Sequence, residues 1–120
     1  REITIPENVT SIGAAAFYGC TSLEKIDIPE NVTSIGDGAF ERCVLLKEIT
    51  IPAKVEKIGK SAFAGCTLLV KVTFVDSTST WMHTWHLDYI YGIKLETVSN
   101  PNDNATLLKE TYKDRYFYKQ

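Results

Sequence analysis

The stretch IDIPENVTSIGDGAFERCVLL (26–46) decides the fold, because its pattern recurs with a spacing of 23 residues. The same positions recur in ITIPENVTSIGAAAFYGCTSL (3–23) and ITIPAKVEKIGKSAFAGCTLL (49–69), and a further unit starts with VTF (72–74). A period of roughly 20 to 29 residues with apolar positions in phase predicts a solenoid, whose units must stack to bury their apolar sides. Four positions keep the same residue in every complete unit: Pro6, Pro29 and Pro52; Gly13, Gly36 and Gly59; Phe17, Phe40 and Phe63; Cys20, Cys43 and Cys66.

The start of each unit has the alternation of a short strand. Ile26 and Ile28 are expected to point inward and Asp27 outward. Pro29 has no backbone N–H, so the strand should end there. One such strand per unit predicts a short parallel sheet on the concave face of the stack.

The second half of each unit should turn the chain back. Gly36 either adopts a backbone conformation closed to residues with a Cβ or lets the neighbouring unit approach closely. Ala39 and Phe40 are expected in a helical or 3₁₀ turn with both side chains packed inward. Neither half of a unit suggests a catalytic cleft, so the repeat favours a binding or structural function.

The pattern LxxIxIPxxVxxIGxxAFxxCxx resembles the Treponema pallidum-type, or BspA-like, leucine-rich repeat, over residues 3–74. The resemblance implies an α/β-type leucine-rich repeat solenoid. It also implies a bacterial surface or secreted protein that adheres to host matrix proteins or to other bacteria. A weaker similarity to the C-terminal parts of family members rests on a short list of residues: Asn104, Ala105, Leu108, Tyr112, Tyr116 and Tyr118.

Composition excludes some partners. The formal net charge of the 120-residue chain is −2, and no basic stripe of the kind that binds nucleic acid is visible. No segment approaches the roughly 18 apolar residues of a membrane span. The chain opens at Arg1, inside a repeat and without Met, so this start is compatible with a removed export signal and does not indicate location. The family resemblance is what implies an exported protein, at the cell surface or in the periplasm.

The outward positions of the predicted strands form two polar rows on the concave face. One row alternates in charge, so its neighbouring members attract each other across a parallel sheet. The rows serve either to stabilise the sheet or to bind a protein partner. They contain Glu2, Lys25, Glu48 and Lys71, and then Thr4, Asp27, Thr50 and Thr73.

Cysteines and histidines do not predict a metal centre or an active site. Cys20, Cys43 and Cys66 are spread along the stacking axis rather than converging on one point, as zinc ligands would. They are expected to be free and buried, although a disulfide between neighbouring units is an alternative. His83 and His86 lie among aromatic residues and favour packing. We predict no cofactor and no enzymatic activity.

The predicted domain boundary lies where the repeat stops, with repeats over 1–74 and a C-terminal capping region over 75–120. Because the end of a stack exposes apolar core, this α+β region should cover it with aromatic rings. Alternatively, surplus rings form a hydrophobic pocket or patch for a ligand or partner. The candidate residues are Trp81, Trp85, Tyr89, Tyr91, Tyr116 and Tyr118.

Four elements are expected in the C-terminal region. Two strands over 85–91 and 93–98 should flank a turn at Gly92. A helix is predicted over 104–112, and a last strand over 115–119. The N-cap of the predicted helix would be one of the three polar residues that follow Pro101, namely Asn102, Asp103 or Asn104.

The first strand has no preceding unit in this sequence, so its edge either continues a stack cut off upstream or packs against another chain. We therefore predict a homo-oligomer. The function predicted overall is a non-enzymatic protein–protein interaction module, an adhesin for host matrix or other proteins. The alternative is an oligomeric scaffold that assembles through its ends, with a hydrophobic pocket near the aromatic region.

Overall fold

The computed structural model describes residues 2–75, 81–84, 93–94, 101–106, 108–109 and 115–119. Each complete repeat unit contains two short strands rather than one. The strands of the repeat are β1 (Glu2–Thr4), β2 (Ser11–Ile12), β3 (Lys25–Asp27), β4 (Ser34–Ile35), β5 (Glu48–Ile51), β6 (Lys57–Ile58) and β7 (Lys71–Phe74). They are followed by β8 (Trp81–Thr84), β9 (Ile93–Lys94), the helix α1 (Pro101–Thr106) and β10 (Tyr116–Lys119).

The odd-numbered strands of the repeat are the ones that the alternating isoleucines predict. β1 pairs in parallel with β3, with Ile3 opposite Ile26. β5 pairs in parallel with β7, with Ile49 opposite Val72. β3 lies beside β5, which brings the two pairs together. The 23-residue period is therefore also the register of the strands.

The even-numbered strands of the repeat form a second face that the sequence did not predict. β2, β4 and β6 pair in parallel, with Ile12, Ile35 and Ile58 in one row. The sheet continues through β10, β8 and β9 in antiparallel order. The prediction of one strand per unit was therefore incomplete. A two-residue strand is too short to show an alternation, so periodicity alone could not reveal it.

The turn around each Ala-Phe pair contains no continuous helix, but it has hydrogen bonds of the predicted 3₁₀ type: Glu41 N–H donates to the Gly38 carbonyl at 3.1 Å, and Cys43 N–H donates to the Phe40 carbonyl at 3.2 Å. The Ala39 and Phe40 side chains are buried, as predicted. Gly38 has a φ of 62° and Arg42 a φ of 62°, and the equivalent residues of the neighbouring units are also left-handed. A helix cannot pass through such positions. The turns bond to one another instead: Phe40 N–H donates to the Ala62 carbonyl at 2.9 Å.

Gly36 permits a close approach between units, which decides between the two predicted roles. Its φ is not left-handed, but a Cβ there would lie 2.5 Å from Ala14 N and 2.7 Å from Gly13 C. Gly59 meets the backbone of the second unit in the same way. A Cβ at Gly13 would meet nothing within 4 Å. The second and third glycines therefore set the distance between neighbouring turns.

The core is built from columns of like residues. The Phe17 and Phe40 rings stack with centroids 5.3 Å apart, and Phe40 and Phe63 follow at 5.5 Å. Beside them, the Cys43 thiol donates to the Phe17 carbonyl at 3.2 Å, and the Cys66 thiol donates to the Phe40 carbonyl at 3.0 Å. These hydrogen bonds give the buried thiols a partner in the preceding unit.

The C-terminal residues join the stack at the third unit. Phe117 of β10 pairs with Ile58, so an aromatic ring extends the isoleucine row. Trp81 of β8 packs edge-on against Phe74, with ring centroids 5.1 Å apart. The Asn104 side chain donates to the Val72 carbonyl at 2.9 Å. Two separate elements thus contact the last strands of the repeat.

One boundary predicted in this region was wrong. The helix begins at Pro101, not at 104, because proline suits the first helical position, where no N–H is needed. The predicted N-cap residues Asn102, Asp103 and Asn104 therefore lie inside it. Strand β8 was not predicted. The last strand, predicted over 115–119, is confirmed and spans 116–119. β9 lies within the strand predicted over 93–98, and the rest of the two strands predicted over 85–98 lies outside the described residues.

Candidate interaction surface

The alternating row of the repeat is formed as the register requires. In the register of the strands, Glu2 lies opposite Lys25 and Glu48 lies opposite Lys71. The second row places Asp27 opposite Thr4 and Thr50 opposite Thr73. Lys25, Asp27, Glu48 and Lys71 are all exposed.

A shallow depression of about 50 Å³ crosses these rows, and we call it the charged groove. Its apolar floor is formed by Ile26 and Ile49, which are buried. Charged residues from three neighbouring strands surround that floor. The described residues that line it are Lys25, Ile26, Asp27, Glu48, Ile49, Thr50, Lys71 and Thr73.

A larger cavity of about 440 Å³ lies next to it, where the odd-numbered strands end, and we call it the apolar groove. Thr50 lines both grooves, so they form one continuous surface. The Lys54 ammonium group donates to Asn31 Oδ1 at 2.8 Å on one side of it. The described residues that line the apolar groove are Ile28, Glu30, Thr50, Pro52, Ala53, Lys54 and Val75.

Sequence reasoning missed the apolar groove, although one signal was present. Val75 occupies the position of the repeat where Pro6, Pro29 and Pro52 stand. Its N–H donates to the Ile51 carbonyl at 3.0 Å, a bond that proline cannot make, and its side chain is 58 % exposed. The break in the proline column therefore marks an exposed aliphatic residue at the edge of the groove.

The candidate aromatic residues separate by burial. The side chain of Trp81 is 1 % exposed and that of Tyr116 is 9 % exposed, so both belong to the packed interior. Tyr118 is half-buried and lies opposite Lys57 of β6. Trp85, Tyr89 and Tyr91 lie outside the described residues. Among the described candidates, Tyr118 is the ring with the most surface.

The buried His83 packs as the sequence predicts. Its Nδ1 accepts a hydrogen bond from the Arg115 guanidinium group at 2.6 Å. Burial, and to a smaller extent the Arg115 cation, lower the pKa of His83. The imidazole is therefore neutral near pH 7. His86 lies outside the described residues.

The three cysteines are free. Burial raises the pKa of the Cys43 thiol to about 11 and that of the Cys66 thiol to about 12, so both are protonated at neutral pH. Within the described residues, no three metal-ligating side chains converge. No helix in that part of the chain has the length and apolar character needed to cross a membrane.

Comparison with known proteins places this repeat in a family. The family model described as "BspA type Leucine rich repeat region (6 copies)" matches residues 1–118. This chain belongs to the BspA-type leucine-rich repeat family. Leucine-rich repeat modules of this type are generally used for protein interaction. A search of curated proteins found no match.

A solved structure resembles this BspA-type chain. It is the crystal structure of a leucine-rich cell surface protein from Faecalibacterium prausnitzii A2-165, at 34 % sequence identity and a TM-score of 0.64. The match covers 83 % of this chain and 26 % of that protein. The BspA-type chain thus spans about a quarter of the length of its structural relative.

Proposed function

We propose that this BspA-type chain is a non-enzymatic adhesion module that binds a protein partner through its strand face. The observation that carries the proposal is the continuity of the charged and apolar grooves through Thr50. A surface that joins an apolar cavity to charges of both signs has the composition of a protein-binding site. Steering by the charges would add to the rate of association.

The frame behind this surface requires little ordering on binding. Hydrogen bonds between neighbouring units recur at 2.7 to 2.9 Å along the turns, from Phe17 to Ala39 and from Phe40 to Ala62. A rigid surface loses less conformational entropy than a mobile loop when it meets a partner. The exposed side chains can therefore contribute to affinity with little reorganisation.

Membership of the family and likeness to a cell surface protein support exported, surface-located adhesion. Host extracellular matrix proteins are the proposed partners. We further propose that residues 75–120 act as a C-terminal capping region. Trp81, which packs on Phe74, and Asn104, which donates to the Val72 carbonyl, support that role.

The test is a binding assay on immobilised matrix proteins with albumin as the reference surface. Replacing Lys25 and Lys71 together by Glu should weaken binding by about tenfold or more, since each replacement reverses a charge on the groove. Lys47→Glu with Lys60→Glu makes the same change in net charge at exposed positions outside both grooves. Matrix proteins that bind no better than albumin would refute the adhesin role.

A second candidate, assembly of identical chains, is supported by an apolar flank. Leu45 and Leu68 occupy the same repeat position in neighbouring units and are 38 % and 43 % exposed, and nearby Val70 is 56 % exposed. Leu45→Glu with Leu68→Glu should convert an oligomer to a monomer in sedimentation velocity. A wild-type chain that sediments as a monomer at every concentration would exclude this candidate.

A further inference from the structure

The apolar groove differs from the charged groove in being able to hold a side chain. Its volume of about 440 Å³ falls within the roughly 300–1,000 Å³ of small-ligand sites, whereas the charged groove offers about 50 Å³. Ile28, Pro52 and Val75 give it three apolar walls from three successive units. A single aliphatic or aromatic side chain could bury much of its surface there.

The charges around the apolar groove are unevenly placed. Asp27 and Glu30 lie on either side of Ile28 in the chain, and both are exposed. Asp27 lines the charged groove and Glu30 lines the apolar groove, so the second unit contributes one carboxylate to each groove. Lys54, the lysine among the described lining residues, donates to the neutral amide of Asn31 and keeps its positive charge, so Asp27, Glu30 and Lys54 together carry one net negative charge. A partner cation next to the apolar side chain would complement this end.

We propose that the apolar groove anchors an extended segment of the protein partner in which an aliphatic or aromatic side chain stands beside Lys or Arg. The apolar side chain fills the space between Ile28, Pro52 and Val75. The adjacent cation lies between Asp27 and Glu30. This inference rests on the proposed function, because it specifies what part of the partner that surface binds.

Three labelled heptapeptides test the specificity. Their central residues are Arg-Leu-Arg, Glu-Leu-Glu and Arg-Ser-Arg, each flanked by Gly-Ser on one side and Ser-Gly on the other. Titration into the ¹⁵N-labelled full chain, followed by amide shifts, measures weak affinities up to millimolar concentrations. We expect the Arg-Leu-Arg peptide to bind about tenfold or more tightly than either of the others, with shifts at Val75 and Ala53.

Matched substitutions test the location. Val75→Glu should abolish the preference for the Arg-Leu-Arg peptide over the Arg-Ser-Arg peptide, because it removes an apolar wall of the groove. Val70→Glu should leave that preference unchanged, because Val70 is 56 % exposed and lines neither groove. Glu30→Lys should weaken binding of this peptide about tenfold. Glu7→Lys, at the equivalent exposed position of the first unit, should not.

Equal affinities for the three peptides, shifts confined to other surfaces, or equal effects of Val75→Glu and Val70→Glu would each overturn the inference. Absence of binding by all three peptides would overturn it as well. Failure here is distinguishable from failure of the proposed function. If matrix proteins still bind and respond to the Lys25 and Lys71 replacements but not to Val75→Glu, the adhesion module stands and the anchor does not.

Discussion

The junction between the second and third repeat units and the junction between the third unit and the C-terminal strand make the same hydrogen bond in different ways. Glu56 N–H donates to the Thr33 carbonyl at 2.8 Å, and Lys119 N–H donates to the Glu56 carbonyl at 2.8 Å. The first donor is 23 residues from its acceptor, and the two residues directly precede the parallel strands β6 and β4. The second donor belongs to the antiparallel β10. The edge left by the third unit is therefore bonded without another unit.

The side chains at the two junctions differ more than the backbones do. The repeat junctions stack like on like, with Phe40 between Phe17 and Phe63. The C-terminal junction joins unlike groups, with Trp81 edge-on to Phe74 and the Lys119 ammonium group 5.7 Å from the Trp81 ring centroid. Identical units can use the same side-chain contact at every junction, whereas the end of the stack needs side chains that occur only there.

The largest effect is expected inside the phenylalanine column. Phe40→Ala should lower the free energy of unfolding by about 3–5 kcal/mol, because it empties a fully buried site between two rings. Phe17→Ala removes a half-buried ring and should cost less. Urea unfolding followed by circular dichroism measures both. Equal losses would show that the position within the column does not matter.

The close approach of the turns gives the next largest effect. Gly36→Ala should destabilise the chain by about 1–3 kcal/mol, because the added Cβ meets backbone atoms of the first unit that cannot move alone. Gly13→Ala is the matched control, since its Cβ would meet nothing within 4 Å. Urea midpoints of the two variants should differ clearly. A similar midpoint for both would refute the spacing role of Gly36.

Acid should weaken the C-terminal junction in particular. The pKa of His83 is lowered in the folded chain, whereas the unfolded imidazole titrates at its ordinary pKa of 6.5. The contribution of neutral His83 to the free energy of unfolding is therefore complete above pH 6.5. It falls as the pH drops below that value, by at most about 1.4 kcal/mol per pH unit. Thermal unfolding between pH 7.5 and 5.5 measures the slope.

His83→Asn is the control for that slope. It should flatten the pH dependence while lowering the stability at pH 7.5. The repeat junctions contain Cys43 and Cys66, whose raised pKa values place their titration far above this range. A variant that retains the full slope would assign the acid sensitivity to another group.

The smallest effect is a gain in stability. Arg42 has a φ of 62° at a position where the neighbouring units have Gly19 and Gly65, also left-handed. Arg42→Gly should raise the free energy of unfolding by about 0.5–1 kcal/mol, the strain relieved less the entropy that glycine adds to the unfolded chain. Lys47→Gly, at an exposed position without left-handed backbone, should lower it instead. A loss of stability in Arg42→Gly would contradict the strain argument.

Much of the repeat was predictable because residues at the same repeat position have the same surroundings in every unit. Ile26 and Ile49 alternate with polar residues, and this identified the strands, their direction and the charge pairing across them. The left-handed backbone of the turn was not predicted. The second unit has Arg42 at the position where the first and third units have Gly19 and Gly65, and arginine rarely adopts this backbone. A left-handed arginine is visible only when the units are aligned and the neighbouring contacts are known.

The C-terminal contacts could not be read from the pattern. Asn104 follows no repeat and was taken as a possible helix cap, yet it donates to a strand carbonyl 32 residues earlier in the chain. The charged groove was predictable, because its residues are fixed by register. The apolar groove depends on where three units end relative to one another, which periodicity does not specify beyond the single irregularity at Val75.

The hydrogen bond of Lys119 has a consequence for how such proteins change length. The third unit presents the same acceptor that the first and second units present, so β10 bonds to a generic edge rather than to one tailored to it. Duplication or loss of a whole 23-residue unit within the stack would leave that backbone acceptor in place. Gene recombination can therefore lengthen or shorten the strand face while keeping the same C-terminal strand.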